Sequence, residues 1–436
     1  MASKFNDNLI LNSKILFMKK SIFVIALLCM AVSQVYAGGY RVSLQGNKSL
    51  AMGHTGVAVV NSAESAFFNP AGLVYLENKL NVSAGGFGIF SNTKWQNTDT
   101  GQFSETEAGV GTPFYLYASY KINEWLTAGL AAYTPYGSSV EWEKDWAGSH
   151  LVNDIELAAI FIQPLLSLKL SKHFSIGGGP IFVTGNVNFN RNINRTLADE
   201  NGVRSNITID DSGVTNTGWS ASFMFTPTEK LRIGFNYRSL INLNAEGGDA
   251  TFSNVPNSPL VPVANGITTF DATLPLPAEL TVGLSYQVND KLLFAFDFNR
   301  TFWEVYESLD IEFGNPSIPT SVNARNYENS NIYRFGVQYQ AMDNLTLRGG
   351  YYFDETPVIP GFFAPETPRP DAQGFTAGLT FDINSKLSID ASFLYLRFKE
   401  VDASYDAYFE NGTSVPFSGT YISNSFIPGI GISYKL

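Results

Sequence analysis

Scarcity of certain residues narrows the field first. The 436-residue chain carries one cysteine and three histidines. An internal disulfide needs two cysteines, so no stapled extracellular scaffold is available. There is no excess of basic charge: 28 Lys and Arg against 39 Asp and Glu give −11, which disfavours nonspecific nucleic-acid binding. His54, His150 and His173 are far apart in the chain, and no HExxH, GxSxG or glycine-rich phosphate loop occurs. No enzyme, cofactor or metal centre is expected. The spacing of Glu141, Glu143, Asp145 and Asp154 matches no calcium loop. After residue 37, no apolar run approaches the ~20 residues a membrane helix needs.

What is present begins with an export signal. Met18-Lys19-Lys20 supplies a positive start, Ser21 to Val32 an apolar core, and Val35-Tyr36-Ala37 a small-x-small cleavage site, so the mature chain is expected to start at Gly38. Residues 1–17 read as an extension from a misplaced start codon, and 18–37 as the signal peptide. Cys29 lies within the apolar core and lacks the small preceding residue of a lipid-modified cysteine. Cleavage removes it with four lysines and one aspartate, taking the net charge from −11 to −14.

From Lys79 onward the chain falls into paired strands. Period-two patterning places them near 79–90, 111–122, 125–136, 153–170, 173–190, 214–227, 230–243, 271–288, 291–311, 327–340, 344–355, 371–382, 386–401 and 419–435. In one strand Leu231, Ile233, Phe235 and Tyr237 oppose Arg232, Gly234, Asn236 and Arg238. Such alternation leaves one apolar and one polar face, which a soluble sandwich also shows. The connections decide between them. Six are tight and polar, from Lys121–Glu124 to Ile383–Ser385, and seven long ones near 91–110, 137–152, 191–213, 244–270, 312–326, 356–370 and 402–418 alternate with them. All short turns then lie at one end. That is the pattern of an outer-membrane barrel with periplasmic turns and termini, and an even strand count closes it without a bare edge.

The expected fold is therefore all-β, a 14-stranded antiparallel transmembrane β-barrel over 79–436. Tyr115, Tyr117, Tyr120, Trp125, Tyr133, Tyr136, Phe302 and Trp303, near strand ends, are candidates for interfacial girdles. Gly85-Gly86, Gly177 to Gly179 and Gly349-Gly350 mark bends or close backbone approach.

A barrel this wide is not filled by its own side chains. Residues 38–78 are the only mature segment outside the strand series, and they are expected to form an N-terminal hatch, or plug, in the lumen. At their centre Asn69-Pro70-Ala71-Gly72 makes a rigid bend with apolar flanks, Pro70 fixing φ and Gly72 permitting a tight turn. Tyr40, Leu44, Met52, Phe67 and Phe68 would line an apolar pocket suited to an amphiphile. Pro135, near the end of the third strand, forfeits a ladder hydrogen bond and marks a kink or local gap there. Trp142 and Trp146 are either girdle decoration or an apolar landing site. Arg191, Arg195 and Arg204 either solvate a loop or contact an anionic head group.

After its signal the sequence runs SLAMGHTGVAVVNSAESAFFNPAGLVYL, and later carries Gly234-Phe235-Asn236-Tyr237-Arg238-Ser239, Leu276-Pro277-Ala278-Glu279-Leu280 and Leu347-Arg348-Gly349-Gly350-Tyr351. With these pieces it resembles the FadL/TodX type of outer-membrane long-chain fatty acid and aromatic hydrocarbon transporters across essentially the whole mature chain. The resemblance implies a barrel closed by a hatch bearing the NPA sequence. It implies ligand capture between long loops, here 191–213 and 244–270, and lateral exit at a kink of the third strand, here around Tyr133, Pro135 and Gly137. The chain departs from the barrel pattern in ending on Leu436 rather than an aromatic residue. Expected partners are a hydrophobic or fatty-acid ligand, outer-membrane lipid with lipopolysaccharide, and the barrel-assembly machinery. Nucleic acid is not among them, and the protein is expected to be a monomer in the outer membrane of a Gram-negative bacterium. A general porin and a loop-mediated adhesin or receptor are the alternatives.

Overall fold

The computed structural model describes residues 40–436 except 108, 144 and 260. The extension at 1–17, the signal segment at 18–37 and positions 38 and 39 lie outside the described residues.

Fourteen antiparallel strands form one closed ring. In chain order they are β1 (Leu80–Phe87 and Phe90–Gln96), β2 (Phe103–Glu105 and Phe114–Asn123), β3 (Leu126–Glu141), β4 (Asp154–Lys169), β5 (Phe174–Asn192), β6 (Asn206–Phe225) and β7 (Leu231–Arg238 and Ile241–Ser253). They continue with β8 (Gly266–Leu276 and Glu279–Asn289), β9 (Leu292–Thr301 and Ser308–Phe313), β10 (Ser321–Ala324 and Ser330–Met342), β11 (Leu345–Asp354), β12 (Ala372–Asp382), β13 (Leu387–Phe398 and Val401–Tyr405) and β14 (Phe417–Lys435). Each pairs with its sequence neighbours, and β1 closes the ring against β14, from Asn81↔Lys435 to Phe87↔Gly429. The closed ring leaves none of these fourteen strands without a neighbour on either side.

The alternation resolves into an outside and an inside. Outward residues such as Leu130, Phe294 and Phe335 are 51%, 50% and 52% exposed, whereas inward Asp297, Asn299, Arg334 and Arg348 are buried. Apolar groups on the bare face and polar groups inside are the reverse of a soluble protein, and they suit a ring bathed in lipid. Parity also corrects part of the expected girdle. Tyr120 and Trp125 face out, but Tyr115, Tyr117, Tyr133 and Tyr136 face in and are buried. Trp303 is buried too, because Trp303–Val305 leaves the strand as a 3₁₀ turn that swings its ring inward.

Several strands run further than hydropathy suggests. β6 starts at Asn206 rather than near 214, β7 continues to Ser253, and β5 reaches Asn192. These extensions are rich in Asn, Asp and Thr. They are held by backbone ladders such as Phe252↔Ile207 and by side-chain bonds such as Asn190 Nδ2 to Thr208 Oγ1 at 2.7 Å. The capture loops expected at 191–213 and 244–270 shrink accordingly.

Residues 40–76 lie inside the ring. They form two four-residue helices, α1 (Asn47–Leu50) and α2 (Ser65–Phe68), and a 3₁₀ turn over Pro70–Tyr75. Nearly all of them are buried. Their buried backbone donors must be satisfied without water. Glu64 accepts from the amides of Lys48 and Ser49 at 3.1 and 3.0 Å, and Asp297 of β9 accepts from those of Gly56 and Val57 at 2.7 and 3.1 Å. The wall yields space where backbone meets backbone. A Cβ on Gly177 would lie 2.5 Å from the amide nitrogen of Ala71, and one on Gly350 would collide with Gly53.

Candidate transport site

The bend Asn69-Pro70-Ala71-Gly72 is the best-anchored part of the inner segment. Asn69 caps the 3₁₀ turn through Oδ1 to the Ala71 amide at 3.1 Å, and Pro70 occupies a first-turn position where no donor is missed. Its Nδ2 donates to Val57 O at 2.7 Å and to Phe223 O of β6 at 3.1 Å. Ser175 of β5 donates to Ala71 O at 2.7 Å, and Gly72 packs against Val60 and Met224. One side chain thus ties the turn to the segment's own backbone and to the wall.

On the long-loop side of this segment lies an apolar chamber with a cavity volume of about 90 Å³. Leu157, Val187, Leu243, Phe270 and Leu274 from β4, β5, β7 and β8 line it. Tyr40 lies at one end, edge-on to Trp303 and Tyr306 at 5.0 and 5.5 Å, with its hydroxyl donating to Pro275 O at 2.8 Å. At the polar end Arg325 forms a buried ion pair with Glu366 and donates to Tyr405 Oη at 3.0 Å, while Tyr327 Oη lies 3.1 Å from Thr367 Oγ1. An apolar chamber with a few polar groups gathered at one end orients an amphiphile. Arg325 sits at the end of a long polar loop that gives no periodic signal, so its inward placement is not readable from sequence.

The expected pocket residues separate. Tyr40 lines the chamber. Leu44 packs in the main core, and Met52 joins Val59, Leu293 and Ala295 in a small cluster. Phe67 and Phe68 line a smaller cavity together with Pro135. Trp142 and Trp146 stack at 4.1 Å within a second apolar core that includes Trp95, Phe363 and Tyr421. Arg191 donates to His150 O and Ser321 Oγ, both at 3.0 Å; Arg195 pairs with Glu410 at 3.0 Å; and Arg204 donates to the carbonyls of Asn194 and Leu197. None of these five lines the chamber.

β3 breaks its own pattern here. Its ladder with β2 runs up to Tyr115↔Tyr133 and resumes at the bridge Thr106↔Trp142. Against β4 the register jumps from Tyr133↔Phe161 to Tyr136↔Ala159, so Thr134 and Pro135 together oppose one residue, a β-bulge. Residues 133–139 are all buried, so alternation is lost where the strand turns inward. Its freed backbone groups are taken by the inner segment: Val42 N donates to Pro135 O and Gly137 N to Tyr40 O, both at 2.8 Å. Tyr133 bonds Gln163 at 3.0 Å and meets Phe67 edge-on at 5.1 Å. The kink, the start of the inner segment and the end of the chamber therefore share residues.

The second apolar core carries a pH signature. His150 lies 4.6 Å from the Tyr408 ring with Nε2 unpartnered. Burial, reinforced by nearby Arg195, pushes its imidazole down to about 4. The folded value lies below the ordinary 6.5, so this packing is fully stable above pH 6.5 and weakens as pH falls towards 4, by on the order of 3 kcal/mol. Hydrogen exchange of residues 146–152 is expected to quicken between pH 6.5 and 4 in the wild type and to stay flat in His150→Phe. Equal acid sensitivity in both would contradict this account.

A closed, lipid-facing barrel with an oily interior chamber is an outer-membrane transport protein. Residues 28–436 match the family model described as outer membrane protein transport protein (OMPP1/FadL/TodX), and the chain belongs to that family. It is 21% identical to the long-chain fatty acid transport protein of Salmonella typhi, over 94% of this chain and 100% of that one. Its fold superimposes on a Pseudomonas aeruginosa FadL homologue with a TM-score of 0.78 at 19% identity, covering 92% of this chain and 100% of the other. The Ralstonia pickettii toluene transporter TbuX gives 0.67 at 18%, covering 90% and 98%. The family's members are transport proteins, not enzymes.

Proposed function

We propose that the protein carries hydrophobic small molecules, such as long-chain fatty acids or aromatic hydrocarbons, passively across the outer membrane. Residues 40–76 act as the plug. A ligand partitions between the long loops into the chamber, turns its polar end towards Arg325, and leaves sideways through the interrupted wall beside β3. The short turns and both strand termini face the periplasm, export uses the signal at 18–37, and the barrel-assembly machinery inserts the chain as a monomer.

The observation that carries this reading is the junction at Tyr40, which closes the chamber and pairs through its carbonyl with the kinked strand. Apolar burial at ~25 cal/mol per Å² drives access without an energy source. A buried segment anchored on many strands argues against a general aqueous pore.

Labelled oleate and toluene, offered to an uptake-deficient host with and without the gene, provide the test. Faster accumulation of at least one is expected, without large ion conductance of the purified protein in planar bilayers. Correct insertion with no gain for either rejects the proposal.

A further inference from the structure

The wall has a second interruption, between β8 and β9. Their ladder runs from Phe270↔Phe313 to Ala272↔Ile311 and resumes at Glu279↔Thr301. Between these points β8 has six residues and β9 has nine. The excess of three equals the length of the 3₁₀ turn Trp303–Val305. No backbone hydrogen bond joins Thr273–Pro277 to β9 among the described residues.

The sequence of β8 forbids the missing ladder. Along an antiparallel strand successive residues turn their peptide groups to opposite neighbours, and the N–H and C=O of one residue share a side. Thr269 O accepts from Gly314 N of β9 at 2.9 Å, so the odd-numbered positions that follow it face β9. Pro275 and Pro277 are two of them, and neither has an N–H to give. The β7 side keeps its pairing, from Ile241↔Leu276 to Leu243↔Leu274. The two proline carbonyls are met from within the lumen. Tyr40 Oη donates to Pro275 O at 2.8 Å, and Tyr136 Oη lies 3.2 Å from Pro277 O and 3.4 Å from Glu279 Oε1.

Outside the interruption lies an open groove of about 730 Å³. Ala245 and Ala272 line both this groove and the apolar chamber. Val305 and Glu307 face the groove, while Tyr306 between them lines the chamber. A single layer of residues thus divides the two spaces, and no ladder bond ties it to β8. The groove carries Glu246, Asp271, Glu307, Asp310 and Glu312 and, among the described residues, no lysine or arginine. All five carboxylates are exposed, which puts the groove beyond the hydrocarbon. A cleft lined by one sign of charge concentrates the opposite sign. We propose that this interruption is a second side port of the chamber, gated by the Trp303–Tyr306 segment, that admits cationic amphiphiles in preference to anionic ones. Passage of a ligand through it rests on the uptake reading; access from the groove to the chamber does not.

The test is thiol labelling of intact cells carrying the full chain, with its one native cysteine replaced (Cys29→Ser). Leu274→Cys places a thiol on the chamber side of the interruption. Its modification by trimethylammonium-ethyl methanethiosulfonate is expected to run at least tenfold faster than by the sulfonatoethyl analogue, each rate taken relative to the unfolded protein. High salt should shrink that preference. Thr273→Trp, which fills the groove from an exposed position, is expected to slow the cationic reagent at least tenfold. Ile267→Trp, exposed on the same strand but away from the groove, should change the rate less than twofold. Should Leu274→Cys fail to assemble, Leu309→Cys on the β9 side of the chamber takes its place. No labelling from outside, a rate untouched by Thr273→Trp, or equal rates for the two reagents overturns the port. Labelling in the expected pattern by a protein with no oleate or toluene uptake would reject the uptake reading and leave the port standing.

Discussion

Replacing Asn69 and Pro70 together by alanine is expected to loosen the inner segment while the barrel still assembles. Loss of the Asn69 side chain removes the cap on the Ala71 amide, which keeps Ser222 Oγ as an acceptor at 3.0 Å, and the donor to the buried Val57 carbonyl and the half-buried Phe223 carbonyl. A lost cap costs about 1 kcal/mol, and each orphaned buried group adds ~1–3 kcal/mol. Removing Pro70 also enlarges the conformational freedom of the released chain. The sum is a large share of what holds a short segment built of four-residue helices and one 3₁₀ turn. Limited proteolysis should cut within 40–76 in the variant but not in the wild type, and ligand uptake should lose its gating. Unchanged protease resistance together with unchanged uptake would contradict the anchoring role.

Deleting Pro135 is expected to have the opposite effect on the wall. It removes the extra residue between Tyr133 and Tyr136, so that β3 opposes β4 one to one and alternation returns. A straight β3 would reach β2 beyond Tyr115, closing the interruption and withdrawing the acceptor that holds Val42. Uptake of the ligand should fall at least tenfold while the barrel keeps its resistance to heat and detergent. Wild-type uptake in a deletion variant whose β2–β3 ladder is shown to be continuous would exclude lateral exit at the kink.

Much of this architecture could be read from residues alone, and the places where reading stopped have physical causes. Strand pairing was legible because short polar turns such as Asn289-Asp290 alternate with long loops, and because period two survives in strands such as Leu292–Thr301. The bend at Asn69-Pro70 and the irregularity at Pro135 were legible because proline removes a donor wherever it stands. The upper parts of β5, β6 and β7 were not, because strands projecting beyond the lipid carry no outward apolar face, and their inward one (Val187, Ile207, Ile209, Phe252) is broken up by polar stretches such as Asp210-Asp211-Ser212-Gly213. Tyr115 and Tyr120 look alike by composition, yet strand parity alone sends one inward and the other out. Trp142 and Trp146 could not be assigned, since an aromatic loop reads the same whether it packs on Phe417 and Trp95 or waits for a ligand. Arg325 becomes notable only when the ring brings distant strands together, which no local pattern encodes.

The most direct measurement is an experimental density map of the protein co-crystallised with a brominated long-chain fatty acid, with the anomalous signal locating the bromine. The account predicts a bromine peak in the apolar chamber among Leu157, Leu243 and Phe270, on the long-loop side of Tyr40, with residues 40–76 inside the ring. Residues 40–76 hanging outside an open, water-filled barrel, with no bromine in the chamber, would contradict it.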